Sequence, residues 1–370
     1  MRARELGVSI GSGSTGRENA ITDVEGVRVG HATLIEGDGP LVVGSGPVRT
    51  GVTVVVPCHD VGEAPVFAGS HRLNGNGEMT GLAWVRESGT LTTPVGLTNT
   101  HSVGVVRDAL VGADAERHGP ATSYWSLPVV AETWDGMLND ISGMHVRAAH
   151  ADAALHAASG GPVAEGNVGG GTGMICHDFK GGIGTASRVV PEADDSMVGV
   201  LVQANHGRRH RLQVNGVPVG QDVGLDEVPG PVEGSGMPGA GSIIAIVATD
   251  APLLPHQCER LAQRAGLGVA RTGGVGEQTS GDLFLAFATG NRGRLSSYKL
   301  GGIPRTVDVA MLSDLAMTPM YDAVVEATEE AIVNALLAAE TMTGRDGITA
   351  FALDPGRLLE AMSAYGRGAA

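Results

Sequence analysis

The sequence predicts a layered α/β protein, and three observations carry that expectation. The last third of the chain alternates strongly apolar runs with helical spacings over short links. The part before it adds further strand-like runs and two or three helical segments. Glycine makes up 58 of the 370 residues and aromatics only 3%, so Val, Ala, Leu and Ile must fill the core, with backbones in close approach.

In chain order, AITDVEGVRVGHATLI (20–35) alternates apolar and polar residues, and GVTVVVP (51–57) is a β-branched run. Residues 20–56 therefore read as short strands and turns. Residues 59–104 place many Gly, Asn, His and Thr between short apolar runs, a texture of functional loops on a rigid scaffold. Helices are expected over VVAETWDGMLND (129–140) and VRAAHADAALHAASG (146–160), the second stopping at Gly160 and Gly161. A glycine-rich stretch (166–189) leads to an apolar strand, SMVGVLVQANHG (196–207). Residues 213–241 form a Pro/Gly-rich connector that reads as mobile or exposed.

Beyond it, SIIAIVATD (242–250) reads as a buried strand. The helix expected over 253–272 places Leu254, Cys258, Leu261, Ala262 and Ala265 on one face. GDLFLAFATG (281–290) reads as a second buried strand, 314–344 holds a long amphipathic helix, and 354–366 a last one. There is no internal repeat.

Net charge is −15 without a long acidic run, which argues against nucleic-acid binding. Arg208, Arg209 and Arg211 form a short local cluster that a solvated turn explains about as well as an anion site. No apolar stretch approaches the ~18 residues of a membrane span, and the first residues lack a secretory apolar region. Cys58, Cys176 and Cys258 are few and odd in number, which fits a reducing compartment. A cytoplasmic protein is expected.

GSGSTG (11–16) matches a dinucleotide fingerprint, but no buried amphipathic helix follows it, so a glycine turn is the better reading. GNVGGGTG (166–173) lacks the Lys-Ser/Thr of a phosphate loop and reads as a packing turn or a backbone oxyanion site. Cys58, His59, Asp60, His71, Glu78 and His101 lack tight metal-ligand spacing and read as hydrogen-bonding loop residues.

The sharpest local feature is PGAGSIIAIVATD, in which a run of small residues ends at a hydroxyl that heads an apolar strand. A serine there can attack the carbonyl before it and convert peptide to ester, which water then cleaves. The new chain would begin at Ser242, with a free α-amine beside its own hydroxyl. Glycine at 241 suits an attacked carbonyl that needs open approach. An ordinary loop-to-strand junction is the alternative. Ser280 and Asp282 head the next apolar strand; if the two strands are neighbours, a hydroxyl–hydroxyl–carboxylate relay becomes possible.

At this point the sequence resembles the self-cleaving L-aminopeptidase/D-esterase-amidases and the β-peptidyl aminopeptidases. The matching stretches are NAITDVEGVRVGH, LNGNGEMTG, LTNTHSVGVV, SLPVVAETWDG, GGIGTASR, VQANHG, GSIIAIVATDAPLLPHQ, VARTGG and SGDLFLAFATGN, in family order over nearly the whole chain. The resemblance implies a single-domain α-β-β-α sandwich like that of N-terminal-nucleophile hydrolases, with connectivity like ornithine acetyltransferase. It implies cleavage at Gly241–Ser242 into chains 1–241 and 242–370. Ser242 would be the nucleophile and Asn205 an oxyanion donor, a contribution typically worth about 3 kcal/mol. Ser280 and Asp282 would assist, and Glu132 would hold the substrate's free ammonium.

Trp134 stands where some relatives carry Tyr; its indole N–H can donate but cannot relay a proton. The resemblance further implies substrates that are short peptides, amides or esters with a free amine. It implies no metal, no organic cofactor, no nucleic-acid or membrane partner, and a tetramer of processed heterodimers. Acyl transfer, as in ornithine acetyltransferases, and a non-catalytic scaffold are the alternatives. The general base is either the Ser242 α-amine or the Ser280/Asp282 relay.

Overall fold

The computed structural model describes residues 1–119, 125–231, 241–295 and 306–367. Its main strands are β1 (Arg28–Glu36), β2 (Val48–Val56), β3 (Val66–Gly75), β4 (Thr90–Leu91), β5 (Val95–Asn99), β6 (Val129–Thr133), β7 (Gly182–Val190), β8 (Ser196–Asn205), β9 (Ser242–Thr249) and β10 (Gly281–Ala288). The main helices are α1 (Leu82–Ser88), α2 (Val103–His118), α3 (Ala148–His156), α4 (Pro255–Arg271), α5 (Met317–Ala338) and α6 (Pro355–Ala364). One sheet has the order β1-β2-β5-β6 and the other β4-β3-β10-β9-β8-β7. Pairing is antiparallel except for β5 with β6 and β9 with β10, whose crossovers contain α2 and α4.

Side-chain alternation shows four layers. On β9, Ile244, Ile246 and Ala248 join Leu97, Ala131 and Leu285 in the core between the sheets. Ile243, Ala245 and Val247 point the other way, into a core with Leu261 of α4 and Ile332 of α5. On β2, Val55 faces the inter-sheet core, while Val52, Val54 and Val56 meet α2 and α3. Strands buried on both faces read as unbroken apolar runs, which is why β9 and β10 were legible. The arrangement is the expected α-β-β-α sandwich.

Small residues set the layer spacing. A Cβ on Gly184 of β7 would lie 1.9 Å from the Ala331 carbonyl oxygen of α5, and one on Gly30 of β1 would lie 2.1 Å from the Ala154 carbonyl oxygen of α3. The strands thus accept helix backbone directly, and volume that aromatics fill in other cores is absent here.

Four expectations need correction. Residues 129–140 are not a helix: Val129–Thr133 is strand β6, and a turn closed by Leu138 and Asn139 N–H bonds to the Asp135 carbonyl follows. Val129 and Val130 are β-branched and buried in opposite cores, so pairing with β5 outweighs the helical spacing. Residues 59–104 contain β3, α1, β4 and β5 rather than loops alone. The first half of the connector is packed, with Val214, Val217, Val219 and Val223 buried; residues 232–240 lie outside the described residues.

Finally, α5 is not simply amphipathic, because Thr328, Glu329, Glu330 and Asn334 are buried as well. Arg188 of β7 donates to Glu330 at 2.6 Å and to Glu326 at 3.0 Å. Asn334 accepts from the Ala3 N–H at 2.9 Å, so the polar side of α5 carries the N-terminal segment. The GSGSTG loop belongs to this arrangement: the Ser12 and Gly13 N–H groups donate to the Glu326 carboxylate. GNVGGGTG is a packing turn, with the Gly169 and Gly170 N–H groups donating to the Thr33 and Thr53 hydroxyls.

Two glycine substitutions separate packing from propensity. Gly184→Ala is expected to destabilise by about 1–3 kcal/mol, because its methyl enters helix backbone. Gly104→Ala, on an exposed turn of α2 with open space around it, is expected to stabilise by up to about 1 kcal/mol. Denaturant midpoints measure both.

Candidate active site

The sheet register brings the expected residues together. Asn205, the last residue of β8, pairs with Ser242, the first of β9, and Ser242 pairs with Gly281, the first of β10. Three adjacent strands thus place Asn205, Ser242, Ser280 and Asp282 at one edge of the six-stranded sheet. All four are between 2% and 5% exposed.

Each side chain there is held by named partners. The Gly281 N–H donates to Ser242 Oγ at 3.1 Å. The Ser280 hydroxyl donates to Asp282 Oδ1 at 2.6 Å, and the Ile243 N–H donates to the same oxygen at 3.2 Å. Burial raises the Asp282 carboxyl above its ordinary range, against the opposing pull of those two hydrogen bonds. Asn205 Oδ1 accepts from the Ile175 N–H at 2.8 Å, and its Nδ2 donates to the Trp134 carbonyl at 3.0 Å. These bonds fix the amide's orientation and leave one Nδ2 hydrogen to donate elsewhere.

Gly241 is required sterically. A Cβ there would lie 2.4 Å from the Asn205 carbonyl oxygen and 3.0 Å from His206 Cα. Open approach to the Gly241 carbonyl is thus joined by a second constraint, the close backbone of Asn205 and His206.

A cavity of about 310 Å³ opens onto this edge. Its walls include Trp134, Asn205, Gly241, Ser280 and Asp282 together with Arg208, Arg211 and Glu277; Ser242 itself is not among its lining residues. Glu277 pairs with Arg208 at 3.0 Å and Arg211 at 2.8 Å, which holds its carboxyl below the usual range. Arg209, by contrast, is buried: it stacks 3.3 Å over the Phe179 ring and donates to backbone carbonyls, including His177 and Val228. The arginine cluster is therefore split between the cavity wall and the core, and the solvated-turn reading fails for Arg209.

Glu132 is not among the cavity's lining residues. Its two carboxylate oxygens accept from the Glu78 N–H and the Thr100 hydroxyl, and burial raises its pKa. It nonetheless lies close to the candidate site, since a Cβ on Gly77 would touch both Gly281 Cα and Glu132 Oε1.

Sequence reasoning gave no role to the groups that brace this edge. Asn74 and Asn76 donate to the carbonyls of Glu277 and Thr279, which holds the turn before Ser280. A bulge in β3, where Leu73 is left unpaired opposite Asp282 and Leu283, aims that segment. The available signal was the pair of asparagines in LNGNG. The six residues weighed as metal ligands do not assemble. Among the described residues, the one group of three or more potential ligands is Cys176, His177 and His206.

The four layers define the class: a hydrolase-type α-β-β-α sandwich of the N-terminal-nucleophile kind. Comparison with known proteins gives the family. The model for "Peptidase family S58" matches residues 19–350. The beta-peptidyl aminopeptidase BapA of Sphingosinicella microcystinivorans is 50% identical, over 100% of this chain and 93% of the relative. That of Sphingosinicella xenopeptidilytica is 46% identical, over 98% and 91%. A Burkholderia sp. beta-aminopeptidase structure superposes with a TM-score of 0.91 at 54% identity, over 99% of each chain. The L-aminopeptidase D-Ala-esterase/amidase of Ochrobactrum anthropi, described as a variant of the Ntn hydrolase fold, gives 0.89 at 44% identity, also over 99% of each. The chain belongs to peptidase family S58 and is a hydrolytic enzyme.

Proposed function

We propose that this chain is an aminopeptidase that activates itself by cutting Gly241–Ser242 and then uses Ser242 as its nucleophile. The observation that carries the proposal is the register of Asn205, Ser242 and Gly281 across three strands, with Ser280 and Asp282 beside them. The Gly281 N–H donates to Ser242 Oγ, so the hydroxyl keeps its own proton for a base to remove. Attack on the Gly241 carbonyl gives an ester, and its hydrolysis frees the Ser242 amine at the cavity edge. In turnover, Ser242 attacks the substrate carbonyl, and the remaining Nδ2 hydrogen of Asn205 donates to the oxyanion. The Ser280–Asp282 pair positions the proton acceptor, and water releases the acid.

Amine recognition is assigned to Glu132, whose buried carboxylate has Gly77 as a neighbour in common with Gly281. Trp134, on the cavity wall, shapes the acyl pocket. The names of the relatives favour β-aminoacyl substrates. Chromogenic amides of β-alanine, L-alanine and D-alanine compared side by side rank the three classes. Assembly as a homo-oligomer of processed heterodimers is supported by an exposed apolar run, Val307, Val309, Met311 and Leu315, of which Leu315 is 93% exposed.

A denaturing gel with N-terminal sequencing tests the cleavage: the smaller band is expected to begin Ser-Ile-Ile-Ala. A single intact chain after long incubation of pure protein contradicts the proposal. Ser242→Ala is expected to stay uncut and inactive. Gly241→Ala is expected to slow self-cleavage by about 10- to 100-fold, the rate equivalent of about 1–3 kcal/mol of overpacking.

The pH profile tests Asp282. Its raised pKa means the carboxylate is lost, as pH falls, at a pH where an ordinary aspartate stays ionised. The acid limb of kcat/KM is therefore expected above the normal carboxylate range. Asp282→Asn is expected to flatten that limb and lower kcat by about 10²–10⁴-fold. An unchanged limb in Asp282→Asn removes the residue from the relay.

A further inference from the structure

Behind Asn205 lies a second cluster that the proposed reaction does not use. Cys176, His177 and His206 are buried, and one potential ligand atom from each lies within 4.8 Å of the others. Cys176 Sγ is 3.8 Å from His206 Nδ1. A tetrahedral zinc site, with Zn–S of about 2.3 Å and Zn–N of about 2.0–2.1 Å, spaces a sulfur and a nitrogen about 3.5 Å apart. That pair is thus already near the required spacing.

The two imidazoles are prepared as ligands. His177 Nδ1 lies 3.1 Å from the Arg208 carbonyl oxygen, which can only accept, so the proton sits on Nδ1 and Nε2 carries the lone pair. That Nε2 is buried with no hydrogen-bond partner, and His206 turns its Nδ1 toward Cys176. A carbonyl that orients the far side of an imidazole is the usual support for a metal-bound histidine. His206 also lines the cavity, which gives an ion a way in.

We propose that Cys176, His177 and His206 form a binding site for a zinc-class divalent cation, with the fourth position open to a water molecule from the cavity. Binding replaces the thiol proton: the S–H bond breaks, an S–metal bond forms, the proton leaves to solvent, and the two imidazoles donate lone pairs. Because binding releases that proton, uptake strengthens as pH rises. The site touches the hydrolytic machinery at two points. His206 follows Asn205 directly, and Cys176 follows Ile175, whose N–H holds Asn205 Oδ1. A filled site pulls both segments together and shifts the Asn205 amide, so occupancy slows hydrolysis. That effect on rate rests on the role proposed for Asn205, whereas the site itself does not.

The test uses full-length protein, stripped with chelator and titrated with Zn²⁺ or Cd²⁺. Wild type is expected to retain one metal per chain through gel filtration. It should show the ultraviolet thiolate-to-cadmium band and, at the zinc X-ray edge, one sulfur and two nitrogen ligands. Cys176→Ser is expected to lose the band and to weaken binding by more than the about 100-fold that loss of an outer-shell partner can cost. Cys58→Ser and Cys258→Ser keep the band, since neither thiol belongs to such a group. No retained metal, a shell without sulfur, or a band that survives Cys176→Ser overturns the site, and the wild-type readings decide it even if that variant fails to fold. Full occupancy with unchanged kcat overturns the coupling to Asn205.

Discussion

Strand β9 is hydrogen-bonded along both edges and buried on both faces, and the rest of the site depends on that confinement. Its antiparallel partner β8 and its parallel partner β10 leave it no freedom to slide. A slip of one residue would exchange Ile244, Ile246 and Ala248 with Ile243, Ala245 and Val247 between two different cores. The position of its first residue is therefore fixed by its whole length. Ser242 stands where it does because the apolar residues behind it cannot stand elsewhere.

The surrounding layers defend that register with small residues and buried charge. Glycines let α3 and α5 lie directly on strand backbone, so each sheet is clamped at short range rather than cushioned by large side chains. On the outer side of the six-stranded sheet, Arg188, Glu326 and Glu330 join β7 to α5, and Asn334 ties in the N-terminal segment. Removing one partner from such a buried ion pair typically costs about 3–5 kcal/mol, so the clamp resists piecemeal change. At the candidate site's edge, bonds from Asn74, Asn76, Ile175 and Gly281 position the polar groups, and all four have a backbone group as donor or acceptor.

The errors of sequence reading have physical causes. VVAETWDGMLND carries both a helical spacing and a β-branched start, and only the presence of β5 beside it makes the start a strand. Helix α2 escaped notice because Gly104 and Gly112 interrupt its helical pattern and its first two residues end the stretch read as loops. The connector before residue 232 looked exposed from its Pro and Gly content, yet its valines find a core that pattern alone cannot show. Arg209 looked like part of a surface cluster because sequence cannot reveal that the Phe179 ring and the carbonyls of its neighbours would surround it.

The Gly241–Ser242 junction, the two apolar strands that follow it and the helix between them were determined locally. Strands buried on both faces and a strongly one-sided helix leave unmistakable residue patterns, and the chain-wide family strings named Asn205, Ser280 and Asp282. Tertiary structure alone decided that these residues share one edge, because strand order is a property of the sheet and not of any strand. It also decided that Glu132 sits outside the cavity lining while Arg208, Arg211 and Glu277 form part of it. The meeting of Cys176, His177 and His206 belongs to the same category. The short hairpin of Ile175–Cys176 with Phe179–Lys180 and the end of β8 bring those side chains together in space, and no spacing along the chain encodes that contact.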